Sequence, residues 1–274
     1  MTDKKDIPVP PLDGFALILG ASSGFGEAAS IKLAEAGCDI IGVHLDRRAG
    51  MQNVERIVKN IRDRGREAWF YNVNAADPEK QKEVLDDVAK KFKERGRSEK
   101  LRVILHSLAF GTLKPFIHQS EPDEVSQKQM EMTLDVMAHS LVYWVQGALR
   151  RDIVSEHGRI FAMTSTGSTQ VWEGYGAVSA AKAALEAHIR QLAFELGPRG
   201  ITANAICAGV TDTPAMNKIP NPDTIRNVAV RKNPSHRLTV PDDVANALLA
   251  LAQPCTYWLN GNVIFVDGGE AHSG

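Results

Sequence analysis

The chain has 274 residues, 43% of them hydrophobic and 24% charged, the make-up of a folded globular protein with an ordinary core. Lys plus Arg (32) nearly balances Asp plus Glu (33), so no overall field would recruit nucleic acid or an anionic membrane, and a substrate has to be recognised locally. Three scattered cysteines, Cys38, Cys207 and Cys255, suit neither a disulfide framework nor a thiolate zinc site, so no metal and a reducing, cytoplasmic location are expected.

The polar N-terminus, Met1 to Asp13 with Pro8, Pro10 and Pro11, lacks the apolar core of a signal peptide and reads as a short extended arm. No stretch approaches the ~18 uninterrupted apolar residues of a membrane span. Short apolar runs then alternate with amphipathic stretches. The runs Phe15 to Leu19, Ile40 to Val43, Ala68 to Tyr71, Val103 to Leu105, Ile160 to Met163, Thr202 to Ile206 and Val263 to Val266 predict buried parallel strands. Helices are predicted over Glu27 to Ala36, Val54 to Asp63, Lys80 to Lys93, Gln127 to Leu149, Ala180 to Leu196 and Pro241 to Leu251. This alternation predicts one α/β domain over residues 1–274: a doubly wound, mostly parallel seven-stranded sheet with helices on both faces. Its functional loops belong at the carboxyl ends of the strands. The stretch Thr211 to Arg237, rich in Pro and Asn, shows no convincing regular element and is expected to be a substrate-binding lid.

Directly after the first strand comes Gly20, Ala21, Ser22, Ser23, Gly24, Phe25, Gly26, and a helix follows at once. Glycines there permit a tight turn and close approach of backbone to a pyrophosphate, whose charge the helix N-terminus attracts. The strand before and the helix after favour a dinucleotide (Rossmann-type) site over a merely structural turn. At the end of the second strand, Asp46 would accept from a free ribose 2′-hydroxyl, whereas Arg47 and Arg48 offer charge-assisted donors to a 2′-phosphate. NADPH is the favoured cofactor, with NADH the alternative that Asp46 supports and solvated arginines would leave open.

With these residues in view, the chain resembles the short-chain dehydrogenase/reductase family from Gly14 to Gly269. Besides Gly20, Gly24 and Gly26, the resemblance rests on Asn72 and Val73, on Ser165, on Lys182, and on the ending Val266, Asp267, Gly268, Gly269. Four departures from the commoner branch point towards its enoyl-[acyl-carrier-protein] reductases. The usual tyrosine position, four residues before Lys182, holds Val178, and the nearest tyrosine is Tyr175, seven residues before. His106, Ser107, Leu108, Ala109, Phe110 stands where most members carry Asn-Asn-Ala-Gly. Met137 replaces a relay asparagine, and Ala208, Gly209, Val210, Thr211, Asp212, Thr213 replaces a Pro-Gly start. Ser165, aromatic in several enoyl reductases, resembles a subgroup closer to ketoreductases.

The resemblance implies Tyr175, Lys182 and Ser165 as the catalytic group. It implies cofactor contacts from Ser22, Ser23, Phe25, Asn72, Val73, Ser107, Leu108, Ala109, Lys182, Gly209, Val210 and Thr213. Reduction of an enoyl thioester builds negative charge on the thioester oxygen, and a tyrosine hydroxyl with a nearby ammonium is suited to receive it. On one regular helix a seven-residue separation would put Tyr175 and Lys182 on a shared face. Ser165 could add a second donor or only satisfy the strand end. His106 could be an acid or base but more readily packs beside the cofactor, and His139 and His188 read as structural. The expected reaction is NADPH-dependent reduction of an enoyl thioester on acyl carrier protein in fatty-acid synthesis, by a homotetramer. A ketone or alcohol dehydrogenase and a non-catalytic dinucleotide sensor are the alternatives.

Overall fold

The computed structural model describes residues 10–96 and 100–273; residues 1–9 of the predicted arm lie outside the described residues. Within these residues seven strands form one sheet: β1 (Phe15–Leu19), β2 (Asp39–His44), β3 (Ala68–Asn72), β4 (Leu101–His106), β5 (Val154–Thr164), β6 (Thr202–Ala208) and β7 (Val263–Val266). Their order is β3-β2-β1-β4-β5-β6-β7 and every pair is parallel. The chain reverses its direction of travel between β1 and β4, which opens a crevice at their carboxyl ends.

Among the described residues eight α-helices cover the faces: α1 (Gly24–Ala36), α2 (Met51–Asp63), α3 (Pro78–Glu94), α4 (Gln127–Leu134), α5 (Ser140–Arg150), α6 (Gly176–Leu196), α7 (Pro222–Lys232) and α8 (Pro241–Leu251). The alternation of β1 decides which residue meets which layer. Phe15, Leu17 and Leu19 join one core cluster with Leu85 of α3, Trp144 of α5 and Leu185 of α6. Ala16 and Ile18 join the other, with Leu33 of α1, Ile57 of α2 and Leu248 of α8. A slip of one residue would exchange the two sets. Helix ends follow local chemistry: Asp77 accepts from the backbone N–H of Glu79 and Lys80, and Pro78 occupies the first turn where its missing N–H costs nothing.

Strand β5 begins at Val154, well before its predicted run, and two predicted elements differ in kind. The helix expected over Gln127 to Leu149 is interrupted by one π-helical turn, Asp135–His139, between α4 and α5. There the Ser140 hydroxyl donates to the Val136 carbonyl at 2.9 Å, a local bond that periodicity does not reveal. The stretch 211–237, expected to lack regular structure, contains a 3-10 turn (Met216–Lys218) and α7. Its prolines do not exclude a helix, because Pro222 sits in the first turn of α7, where proline is tolerated. A parallel bridge between Thr211 and Thr239 pins the two ends of this excursion together.

Candidate active site

The crevice begins at the end of β1. Gly20 has φ +91°, and a Cβ on it would overlap the Ser107 carbonyl; one on Gly26 would overlap the Gly20 carbonyl. Ser23 precedes α1 without a side-chain bond to it, so the first N–H groups of the helix are left to a ligand. The one acid in that turn, Glu27, is held by Arg56 and by the Asn53 amide, which also donates to the Ser22 carbonyl at 2.7 Å. Thr213, beyond β6, faces this loop: its methyl lies 3.4 Å from the place of a Cβ on Gly24. A cradle that a single methyl would fill, ringed by unpaired donors, fits a dinucleotide pyrophosphate.

Further along the edge, Asn72 at the end of β3 brackets Asp46, accepting from its N–H at 3.0 Å and donating to its carbonyl at 2.9 Å. The Val73 N–H donates to the His44 carbonyl at 2.8 Å. Arg47 and Arg48 are both exposed. Asn72, Val73, Arg47 and Arg48, with Gly20, Ser22, Ser23, Gly24 and Gly26, lie along the ends of β1, β2 and β3, outside the main cavity.

That cavity, about 260 Å³, opens beyond β4, β5 and β6. Tyr175, Lys182 and Ser165 all line it, and Phe25, Ser107, Leu108 and Ala109 form the wall beside the glycine loop. Gly209, Val210 and Thr213 close the side towards α7. The predicted site residues thus fall into two adjoining groups, one along the glycine loop and one around the cavity.

Tyr175 does not lie on a regular helix with Lys182, as the spacing argument required; it is the N-cap of α6, with φ −93° and ψ 0°. Its carbonyl still accepts the Ser179 N–H at 2.8 Å, so the helical path extends back to it and both side chains reach one cavity. Burial raises the Tyr175 phenol above its ordinary pKa, and a hydrogen bond with the Ser165 side chain opposes that. The Ser165 Oγ also accepts the Gly167 N–H at 3.3 Å, and a Cβ on Gly167 would come within 2.5 Å of the Tyr175 ring. Both fix the turn after β5 under the phenol.

Lys182 is buried, and its Nζ donates to the Met163 carbonyl at 2.7 Å. Burial pushes its pKa down to about 8, against the pull of Glu186, whose carboxylate accepts from the Thr164 hydroxyl at 2.6 Å. Val178, at the commoner tyrosine position, is buried with Met137 and Ala181, and Tyr175 packs against that cluster.

His106 is fully buried, with Nε2 2.9 Å from the Ser140 Oγ. Since the single Ser140 hydrogen goes to Val136, the imidazole donates here, and burial beside Lys182 drops its pKa to about 3. A ring that stays neutral and faces no cavity is structural. His139 and His188 pair with each other at 2.9 Å outside the cavity.

Sequence reasoning missed Glu270. It lies one residue beyond the recognised ending, yet it lines the cavity and accepts the Val210 N–H at 3.2 Å. Burial raises its carboxyl above the usual carboxylate range, and Asp267 adds to this. The apolar wall of Phe110, Met137 and Trp172 was also not foreseen as a unit. Among the described residues no His, Cys, Asp or Glu cluster is placed to hold a metal, and no helix is long and apolar enough to cross a membrane.

A family model described as Enoyl-(Acyl carrier protein) reductase matches residues 20–270. Among curated proteins the chain is 27% identical to an NADPH-dependent aldehyde reductase-like chloroplastic protein of Arabidopsis thaliana, with 96% of each chain covered. It is 24% identical to the 7alpha-hydroxysteroid dehydrogenase of Escherichia coli K12, with 94% of each covered. A short chain dehydrogenase from Burkholderia cenocepacia in complex with NADP superposes with TM-score 0.77 at 28% identity, covering 93% of this chain and 97% of that one. An enoyl-(acyl-carrier-protein) reductase from Anaplasma phagocytophilum with NAD shares the fold, with TM-score 0.79 at 20% identity and coverage of 95% and 93%. With the glycine cradle, the parallel sheet and this match over nearly its whole length, the chain belongs to the short-chain dehydrogenase/reductase family and is an NAD(P)-dependent oxidoreductase.

Proposed function

We propose that this protein is an NADPH-dependent enoyl-thioester reductase, taking a trans-2-enoyl group on acyl carrier protein in fatty-acid synthesis. The observation that carries the reading is Tyr175 at the mouth of α6, its phenol on Ser165 in the cavity, while the commoner tyrosine position is filled by the buried Val178. In ketone reduction the hydroxyl has to reach the oxygen on the very carbon that is reduced. In enoyl reduction the oxygen lies further along the conjugated system, and a phenol one turn earlier follows it.

When bound, the nicotinamide supplies hydride to the β-carbon. Tyr175 then donates a hydrogen bond to the thioester oxygen as enolate charge develops, with Ser165 as a second donor beside it. Lys182, as an ammonium in a dry site, favours that charge and offers donors to a cofactor ribose. Phe110, Met137 and Trp172 supply an apolar wall suited to an acyl chain. Arg47 and Arg48 at the end of β2 support NADPH over NADH, as do the NADPH-dependent relative and the NADP-bound neighbour.

The curated relatives favour a second reading, reduction of a ketone or aldehyde: their names describe an aldehyde reductase, a versicolorin reductase and a hydroxysteroid dehydrogenase. Matched trans-2-enoyl and 3-ketoacyl thioesters, assayed with NADPH, separate the two. Faster reduction of the ketone overturns the proposal.

A homotetramer is proposed as the assembly. Phe194 is 80% exposed and Trp258 86%. Asn260 donates to the Ala193 carbonyl at 3.0 Å, which brings the turn after Trp258 against the end of α6 that carries Phe194, and large exposed apolar side chains there suit a subunit contact. Sedimentation at micromolar concentration giving a persistent monomer would refute it.

A further inference from the structure

The end of β2 carries an arrangement that the arginines alone do not explain. An acidic side chain at this place in a dinucleotide fold accepts the ribose 2′-hydroxyl and repels a 2′-phosphate. Asp46 is such a side chain, but its carboxylate is turned back onto the strand. Its Oδ2 lies 2.9 Å from the Nδ1 of His44, whose side chain is 2% exposed. A carboxylate only accepts, so the imidazole is the donor. The ring is held in turn by Phe70, with centroids 6.1 Å apart. A Cβ on Gly50 would sit 2.5 Å from the Asp46 Oδ1, so the absence of a side chain there makes room for the inward pose. The two Asn72 bonds to the Asp46 backbone fix the turn. Arg47 and Arg48 are left exposed beside it, with no ion-pair partner among the described residues.

We propose that His44 is a positioning residue for cofactor choice, holding the Asp46 carboxylate against β2 so that the rim accepts a 2′-phosphate on Arg47 and Arg48. The inference rests on the NADPH reading above and adds a cause for it. The His44 ring acts only through Asp46. Without its donor, the carboxylate would turn outward, where it repels a phosphate and accepts from a free hydroxyl.

The test uses 2′,5′-ADP and 5′-ADP, which differ at this rim and carry no nicotinamide, with their dissociation constants measured by calorimetry on the full chain. Wild type should bind 2′,5′-ADP more tightly. His44→Phe keeps an aromatic ring against Phe70 and removes the donor; it should lower that preference about tenfold. His44→Gln, which retains a donor, should keep most of it and serves as the folded control if the phenylalanine variant is unstable. In an Asp46→Ala background, His44→Phe should no longer change the ratio. An unchanged preference in His44→Phe, an equal change with and without Asp46, or a His44→Gln variant as impaired as His44→Phe each overturns the inference. Equal binding of the two ligands by wild type would instead remove the NADPH reading, and this inference with it.

Discussion

The Glu270 carboxylate accepts the backbone N–H of Val210 at 3.2 Å, and Val210 is one of the residues that the family resemblance assigns to the cofactor. A cofactor that takes the Val210 N–H has to displace Glu270. Glu270→Ala should tighten NADPH binding by about tenfold, the scale of one hydrogen bond to a charged group. Burial holds the Glu270 carboxyl above its usual range, so protonation favours the fold; the stability it contributes is present at low pH and is lost as pH rises through the folded value. Protonated Glu270 is the weaker acceptor. Wild-type affinity should accordingly rise as pH falls through that range, and titration at several pH values should show the slope vanish in Glu270→Ala.

Lys182 gives a second pH dependence. Its ammonium is depressed to about 8 by burial, so charge on the site is lost from there upward. If the ammonium supports the oxyanion, kcat/KM should fall above about pH 8. Lys182→Arg keeps its charge and should lose that limb whatever its rate. For stability the sign is opposite to Glu270: a depressed lysine contributes stability above its unfolded value that is lost as pH falls through the folded one. Lys182→Met should thus melt higher than wild type near neutral pH, when both are measured without cofactor.

The excursion 211–237, proposed as a lid, is pinned at its base by the Thr211–Thr239 bridge and carries Met216, Ile219 and Ile225 into the cavity wall. Backbone N–H groups of α7 should exchange more slowly once NADPH and an acyl thioester are both bound. Hydrogen exchange read by mass spectrometry would reject the lid if α7 were equally slow in both states.

What could be read in advance follows from how far each signal reaches along the chain. Strand Phe15–Leu19 is bounded as its apolar run predicted, because burial on both faces demands a continuous run. Val263–Val266 is also bounded as predicted, although at the sheet edge it is only half-buried and Phe265 is exposed. The π turn at Asp135–His139 was not legible, since the apolar spacing over 127–149 does not distinguish one π turn from a continuous α-helix. The seven-residue spacing of Tyr175 and Lys182 suggested a shared face, and both line one cavity, although the tyrosine caps α6 rather than lying within it. Glu270 and the His44–Asp46 contact escaped because each depends on a side-chain direction, and no periodicity encodes that.

The sharpest prediction concerns Tyr175. Tyr175→Phe should preserve folding and NADPH affinity yet lower enoyl reduction by about 10² to 10³, the scale of losing one oxyanion donor. Lys182→Ala should differ by also weakening the cofactor. Returning a tyrosine at position 178 in the Tyr175→Phe background tests placement. Val178 is buried against Met137 and Ala181, and its Cγ2 lies 3.1 Å from the place of a Cβ on Gly111, so a phenol there has to enter the cavity from a later point on α6. Enoyl turnover should stay poor in that double variant, while ketone reduction, which wants its donor nearer the reduced carbon, should gain relative to it. Single-turnover rates with matched thioesters give both numbers. Near wild-type hydride transfer in Tyr175→Phe would remove Tyr175 from the mechanism, and recovery of enoyl reduction by the tyrosine at 178 would show that its distance from Lys182 does not matter.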